Sequence, residues 1–327
     1  MSTKILPWHA PQWQRLCTQF KDGKPPHGIL LTGAVDSGKS LFVSSFSERL
    51  LCQGNQPPCG VCNQCNLVSA QTHPDLLTVT LQDSKQIKIE QIRDVIYWAN
   101  QTAQQGGWKI CVVNPADKLN THAANALLKS LEEPPAKTLI ILVTDQPSRM
   151  LPTLRSRCQH IDCQLPSRVE ALDWLKSKMD TSTDIGLLLD IANGVPLRAL
   201  NSIDEDYLAL RQKIAATLLA LPEGVRSPIL AASELKDADP LEVLNIAYLL
   251  VSDSIAYALT TGNSDKETGV VRNIDLEPLL KTYAGLDSID DRYQLLDRIT
   301  SARGMILGTS NANPQMLIEW VFIKATQ

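Results

Sequence analysis

The sequence predicts an α/β domain built on a parallel sheet around a phosphate-binding loop, followed by a stretch of helices alone. Three observations carry this. Short continuous apolar runs alternate with helical patterns through the first half. A string of the form G-x-x-x-x-G-K-[ST] stands between one such run and a helix. Strand signals fade after Leu165-Pro166. Continuous apolar strands separated by helices indicate a parallel sheet covered on both faces.

Taken in order, Gly28-Ile-Leu-Leu-Thr32 is the first strand, and the glycine-rich turn after it opens a helix running to about Leu51. Leu76–Thr80, Lys109–Val113 and Leu139–Val143 are the next three strands, and Gln159–Cys163 is a weaker fifth. Between them, Ile89–Gln101 carries Ile89, Ile92, Ile96 and Ala99 at helical spacing. Ala123–Glu133 does the same with Ala123, Leu127, Leu128 and Leu131, and Pro134-Pro135 stops it. Ser167 with Glu170 three residues on reads as a capping box that starts a helix. Asn193-Gly194-Val195-Pro196 is a clear break, and from about Asp204 only helices are expected. The domain boundaries are placed near residues 165 and 204.

The 327 residues suffice for two or three domains, and with 44% hydrophobic and 20% charged residues each can bury a core. The net charge of −4 and pI of about 5.8 argue against a chain that grips nucleic acid by itself. The N-terminal residues show no apolar core of signal-peptide length, so a cytoplasmic protein is expected. The most apolar later stretch, Leu241–Leu259, is interrupted by Glu242, Asn245, Ser252, Asp253 and Ser254, and reads as a buried helix with no membrane role.

Gly33-Ala-Val-Asp-Ser-Gly-Lys-Ser40 matches the phosphate-loop pattern at every fixed position. Gly33 and Gly38 let backbone N–H groups converge on phosphate oxygens, with the helix N-terminus adding partial positive charge. Lys39 is placed to reach the β and γ phosphates and Ser40 to hold Mg²⁺, so ATP with Mg²⁺ is the expected ligand. A loop that keeps the shape without binding nucleotide is the alternative. Hydrolysis needs acids at the end of a neighbouring strand. The strand Lys109–Val113 instead ends in Asn114-Pro115-Ala116-Asp117, and Asp117 reaches the site only along an altered backbone path. Hydrolysis by this chain is therefore expected to be weak or absent.

Cys52-x6-Cys59-x2-Cys62-x2-Cys65 supplies four thiols on turns bent by Pro57, Pro58 and Gly60. Overlapping C-x-x-C spacers suit a filled tetrahedral site, which reads as structural Zn²⁺; a redox C-x-x-C, which leaves four cysteines unexplained, and an iron–sulfur cluster are the alternatives. The scattered Cys17, Cys111, Cys158 and Cys163 read as small buried apolar residues. His73, just after the module, reads as a turn or surface residue, and Trp8, Trp13 and Trp98 as packing residues.

Ala124-Asn-Ala-Leu-Leu-Lys-Ser-Leu-Glu-Glu-Pro-Pro135 and Pro152-Thr-Leu-Arg-Ser-Arg-Cys158 resemble the bacterial clamp-loader subunits of DNA polymerase III. The four-cysteine insertion after the phosphate-loop helix belongs to the same family. The strings at 114–117 and at Asp145-Gln-Pro-Ser-Arg149 are similar to its delta-prime branch, whereas the motor subunits (gamma/tau) carry an intact Asp-Glu pair. The resemblance spans the chain, strongest over 27–166 and weakest from 204 on, with Asn313–Glu319 similar to the last family helix.

The resemblance implies an AAA+ nucleotide-binding-like domain at 1–165 with a zinc module at 52–65, a three-helix lid at 166–204 and a helical collar at 205–327. It implies gamma/tau and delta partners in a hetero-pentamer, with the sliding clamp and primed DNA met through the complex. Arg157 matches an arginine finger presented in trans to a neighbour's nucleotide, with a surface ion pair as the alternative. Thr144 matches the sensor position, and Arg198 matches the lid arginine, with a structural role as the alternative. A DNA-directed DNA polymerase or nucleotidyltransferase label would describe the holoenzyme, since this chain shows no polymerase site. Two other readings are a motor-type ATPase, opposed by the missing acid, and a zinc-dependent nucleic-acid-binding module, opposed by the acidic pI.

Overall fold

The alternating runs of the first half pair as parallel strands. The computed structural model describes residues 5–82, 84–179, 184–201, 203–260, 271–308 and 312–326, so the first four residues of the N-terminal reading lie outside them. Two compact units divide at residues 170 and 171.

In the first unit the order is α1 (Ala10–Lys21), β1 (Gly28–Thr32), α2 (Lys39–Leu51), α3 (Asn63–Ser69), β2 (Leu76–Val79) and α4 (Ile89–Asn100). Then follow β3 (Lys109–Val113), α5 (Thr121–Glu132), β4 (Thr138–Thr144), the short α6 (Pro152–Arg155) and β5 (Gln159–Asp162). The five strands lie in the order β2-β3-β4-β1-β5, and every pairing is parallel. β1 is therefore an inner strand next to the edge strand β5, with Thr32 in register with Thr144 on one side and Asp162 on the other.

Alternate side chains of each strand serve opposite faces, as the two-residue strand period requires. Leu30, Cys111, Val113, Ile140 and Leu142 join Ile92, Val95, Ala123 and Leu127 of α4 and α5 in one core. Ile29, Leu31, Val112, Ile141 and Val143 join Leu16, Phe42 and Phe46 of α1 and α2 in the other. Each fully buried Leu or Ile contributes about 1.5–3 kcal/mol. Trp13 packs edge-on to Phe42 and Phe46, and Phe20 edge-on to Phe46, so the packing role read for Trp13 is met. Trp98 also packs against the core, and it anchors by a hydrogen bond from Nε1 to the Pro74 carbonyl (3.1 Å). Cys111, Cys158 and Cys163 are buried, which pushes each thiol up to about 12, and Cys17 is half-buried.

The capping box at Ser167 is formed, with the Glu170 carboxylate accepting from the Ser167 N–H (2.9 Å) at the start of α7 (Arg168–Lys176). The second unit continues with α8 (Ile185–Ile191), α9 (Pro196–Asn201), α10 (Glu205–Ala220), α11 (Pro228–Ser233) and α12 (Pro240–Thr260). It ends with α13 (Glu277–Leu286), α14 (Ile289–Leu307) and α15 (Pro314–Lys324). The break between α8 and α9 is made by Asn193 and Gly194, both at positive φ.

α12 is long and apolar enough to cross a membrane by length and composition. Its Val243, Leu244, Ala247, Leu250 and Val251 instead belong to the shared core of this unit. Asp253, in the middle of the helix, is fully buried. Its Oδ2 accepts from the backbone N–H of Arg272 (2.9 Å), the backbone N–H of Asn273 (2.8 Å) and the Asn273 side chain (2.8 Å). This one carboxylate fixes the chain entering α13. Asp253→Ala leaves those donors buried and unpaired and is expected to cost about 3 kcal/mol. Urea unfolding followed by circular dichroism on the full chain measures it; a loss below about 0.5 kcal/mol contradicts the assignment.

Candidate functional site

The glycine-rich loop leaves the sheet at the end of β1, between the ends of β4 and β5. Gly33 has φ 150°, and a Cβ there would lie 2.6 Å from the Cys163 carbonyl and 2.7 Å from the Ser37 hydroxyl, so only glycine fits. Gly38, at φ 97°, forms the N-cap of α2, where Lys39 begins the helix.

Lys39 folds back on its own loop. Its ammonium donates to the carbonyls of Gly33 (3.0 Å) and Ala34 (2.5 Å) and pairs with the Asp145 carboxylate at 2.5 Å. The Lys39 side chain is only 7% exposed, against 38% for Asp145. His9, wholly buried and edge-on to Phe42, lies close enough to feel this charge. Burial holds its imidazole below the usual histidine range, and Lys39 lowers it further.

Ser40 is exposed and lines a cleft of about 560 Å³ that runs along α2 and over β2, β3 and β4. Asn114 lines the same cleft. Where a metal-holding hydroxyl would meet an acid, the side chain on offer is a neutral amide. Asp117 comes to the end of β4 instead, in a one-turn 3-10 segment, and accepts the Thr144 hydroxyl proton at 2.6 Å. Thr144 is buried, and its oxygen also accepts from the Gln146 N–H (2.9 Å), so the sensor-position hydroxyl is engaged on both sides.

Arg157 joins the two family-like blocks. Its guanidinium donates from Nε to Glu132 Oε1 (2.6 Å) and pairs through Nη2 with the same oxygen (2.5 Å). Nη1 donates to the Thr153 carbonyl (3.0 Å), and the side chain stays 36% exposed. Arg198 lies in the helical unit, in α9. Burial and Asp239 raise the Glu242 carboxyl there, and Arg198 opposes them.

The four cysteines converge. All four Sγ atoms lie within 4.8 Å of one another. Cys59–Cys65 and Cys62–Cys52 are each 3.9 Å apart, too far for disulfides. A tetrahedral site with Zn–S bonds of about 2.3 Å places thiolates about 3.8 Å apart, so the set fits one zinc ion. A cluster of several irons would spread its thiolates wider.

Backbone N–H groups already point at the sulfurs. Cys52 accepts from Gly54 and Cys59, Cys59 from Cys62, and Cys62 from Cys65, at 3.3–3.5 Å. The Cys65 N–H chiefly holds the Cys62 thiol down to about 6, while burial pushes Cys65 up to about 12. Cys52 is the C-cap of α2 and Cys62 the N-cap of α3, so two helix ends set the geometry. Arg49 donates to the Pro57 carbonyl (2.6 Å) and ties the module down.

His73 is not among the ligands, and it is not a surface residue either. It is 4% exposed, and its Nδ1 accepts from the Asp75 N–H (3.0 Å), making the turn that the sequence suggested. Asp75 in turn accepts from Gln104 and Gln105 N–H (2.8 Å each). Sequence reasoning missed the place of His9 beside this loop, and it noted Asp145 only within a family-like string. Pairing Asp145 with Lys39 needs the strand order to be read.

A family model described as DNA polymerase III, delta subunit, matches residues 8–167. A Pseudomonas aeruginosa protein named DNA polymerase III subunit delta' is 38% identical over 60% of this chain and 60% of its own length. The Escherichia coli protein of the same name is 31% identical over 95% of this chain and 92% of its own. Among solved structures, a Thermotoga maritima DNA polymerase III gamma subunit-related protein aligns with a TM-score of 0.48 at 18% identity, covering 95% of this chain and 98% of that one.

Gly54 tests the thiol cage directly. A Cβ there would lie 2.8 Å from Cys59 Cβ and 2.9 Å from its Sγ. Gly54→Ala is expected to weaken zinc binding by about tenfold or more. Competition against a chromophoric chelator measures it, and an unchanged zinc affinity contradicts a site built from these four thiols.

Proposed function

This chain belongs to the DNA polymerase III delta-prime family, and on that premise we propose that it is a clamp-loader subunit that holds nucleotide without hydrolysing it. It assists ATP-driven loading of the sliding clamp onto primed DNA and lends Arg157 to the nucleotide of an adjacent motor subunit. The observation that carries this reading is Asn114 in the cleft that Ser40 enters. The loop has the glycines, the lysine and the hydroxyl for Mg²⁺, yet the strand end beside it offers no charge to activate water. The four thiols support a structural Zn²⁺, and the loop supports ATP with Mg²⁺ as its ligand.

The partners in this reading are gamma/tau and delta subunits in a hetero-pentamer, in the cytoplasm. The lid at 166–204, carrying Arg198, and the collar at 205–327 remain part of it. α11 and α15 pack on each other and leave Ile229, Leu230, Met316 and Ile323 exposed, an apolar surface that suits contact with neighbouring subunits. The second reading, a motor-type ATPase, draws on the carboxylate of Asp117 at the end of β4. That carboxylate is already engaged by Thr144, which favours the first reading.

Arg157 supplies the test. In a loader reconstituted with motor subunits, Arg157→Ala is expected to slow single-turnover hydrolysis at the adjoining site by about 10³-fold or more. Glu132→Gln, which frees the guanidinium from its ion pair, is expected to leave that rate within about threefold. Equal losses in the two variants would make Arg157 a structural residue, and an unchanged rate in Arg157→Ala would end the trans role.

A further inference from the structure

A lysine ammonium has three N–H donors and no acceptor. In Lys39 they go to the Gly33 carbonyl, the Ala34 carbonyl and the Asp145 carboxylate, with the Ser37 hydroxyl a longer fourth neighbour at 3.5 Å. The side chain is buried, so no donor is left over for a nucleotide. Two of the partners are carbonyls of the loop itself. The third is an anion from a different strand.

That anion is held in place by the sheet. Thr32, the residue before Gly33, is in register with Thr144, the residue before Asp145. Thr144 is pinned by Asp117 and by the Gln146 N–H. Asp145 therefore stands beside the loop because β1 and β4 are neighbours.

We propose that Asp145 is an internal occupant of the phosphate-binding lysine, an autoinhibitory contact that a nucleotide must displace. A carboxylate oxygen and a phosphate oxygen present the same chemistry to the ammonium, so the two compete for one donor. Displacement also leaves a freed carboxylate near the incoming phosphates, which adds repulsion to the lost ion pair. Asp145 is partly exposed, so solvent screens the pair and its effect is moderate. The loop is thereby biased toward its closed form, and the apparent affinity falls by the fraction of chains that are open. This inference rests on the reading that the loop receives nucleotide phosphate.

Calorimetric titration of the full chain with MgADP tests it, using the wild type, Asp145→Asn, Asp145→Ser and Asp36→Asn. Asp36 is an exposed acid on the same loop, so its variant reports simple charge repulsion. Both substitutions at 145 are expected to tighten binding by about fivefold, and Asp36→Asn by less than about twofold. Unchanged or weaker binding in the two variants at 145 overturns the contact as a lock, while wild-type binding keeps the nucleotide reading intact. Equal tightening by Asp36→Asn overturns it in favour of general repulsion. Absence of binding in every protein, the variants at 145 included, overturns the nucleotide reading and the lock with it.

Discussion

The placement of β1 between β4 and β5 is the constraint from which the candidate site follows. Parallel neighbours must be joined by crossovers, so residues that meet at the strand ends come from distant parts of the chain. Thr32 in register with Thr144 and Asp162 sets what surrounds the glycine-rich loop. The Cys163 carbonyl closes against Gly33 on one side, and Asp145 reaches Lys39 from the other. Asp117 arrives at the same edge through the Thr144 hydroxyl. The two apolar cores on either face keep that register, because sliding a strand by one residue would exchange the side chains packed in one core for those packed in the other.

Charge placement at that edge separates holding from hydrolysing. A phosphate loop needs only donors and a helix N-terminus to bind, and those are present. Turnover needs a carboxylate aimed at water or metal, and Asn114 is uncharged at every pH. The two acids at the end of β4 are both committed, Asp145 to Lys39 and Asp117 to Thr144. Arg157 is in the opposite condition. It keeps about a third of its side chain in solvent while Glu132 and the Thr153 carbonyl hold it in orientation. Under the proposed trans role, a guanidinium already oriented in this way needs little further ordering to meet a partner's phosphate.

Much of this was legible in the sequence, for identifiable reasons. The strands β1, β3 and β4 are runs buried on both faces, and their hydrophobicity declares them within a residue at each end. The phosphate loop and the C-x-x-C pairs are local in sequence, so spacing alone reports their geometry. The capping box at Ser167 and the break at Asn193-Gly194 are equally local. What was not legible is non-local. Periodicity says which side chains are buried and nothing of which strand lies beside which, so the Lys39–Asp145 pair and the nearness of His9 to Lys39 were hidden. For His73 the turn was legible and its burial was not.

The most direct test is to mix purified chain with radiolabelled ATP and Mg²⁺ and follow both bound nucleotide and released phosphate, for the wild type and for Lys39→Ala. A chain that holds without hydrolysing gives saturable binding that Lys39→Ala removes, and phosphate release no greater than that of the variant. Repeated turnover by the wild type that disappears in Lys39→Ala would contradict it and would return the catalytic acid to this chain.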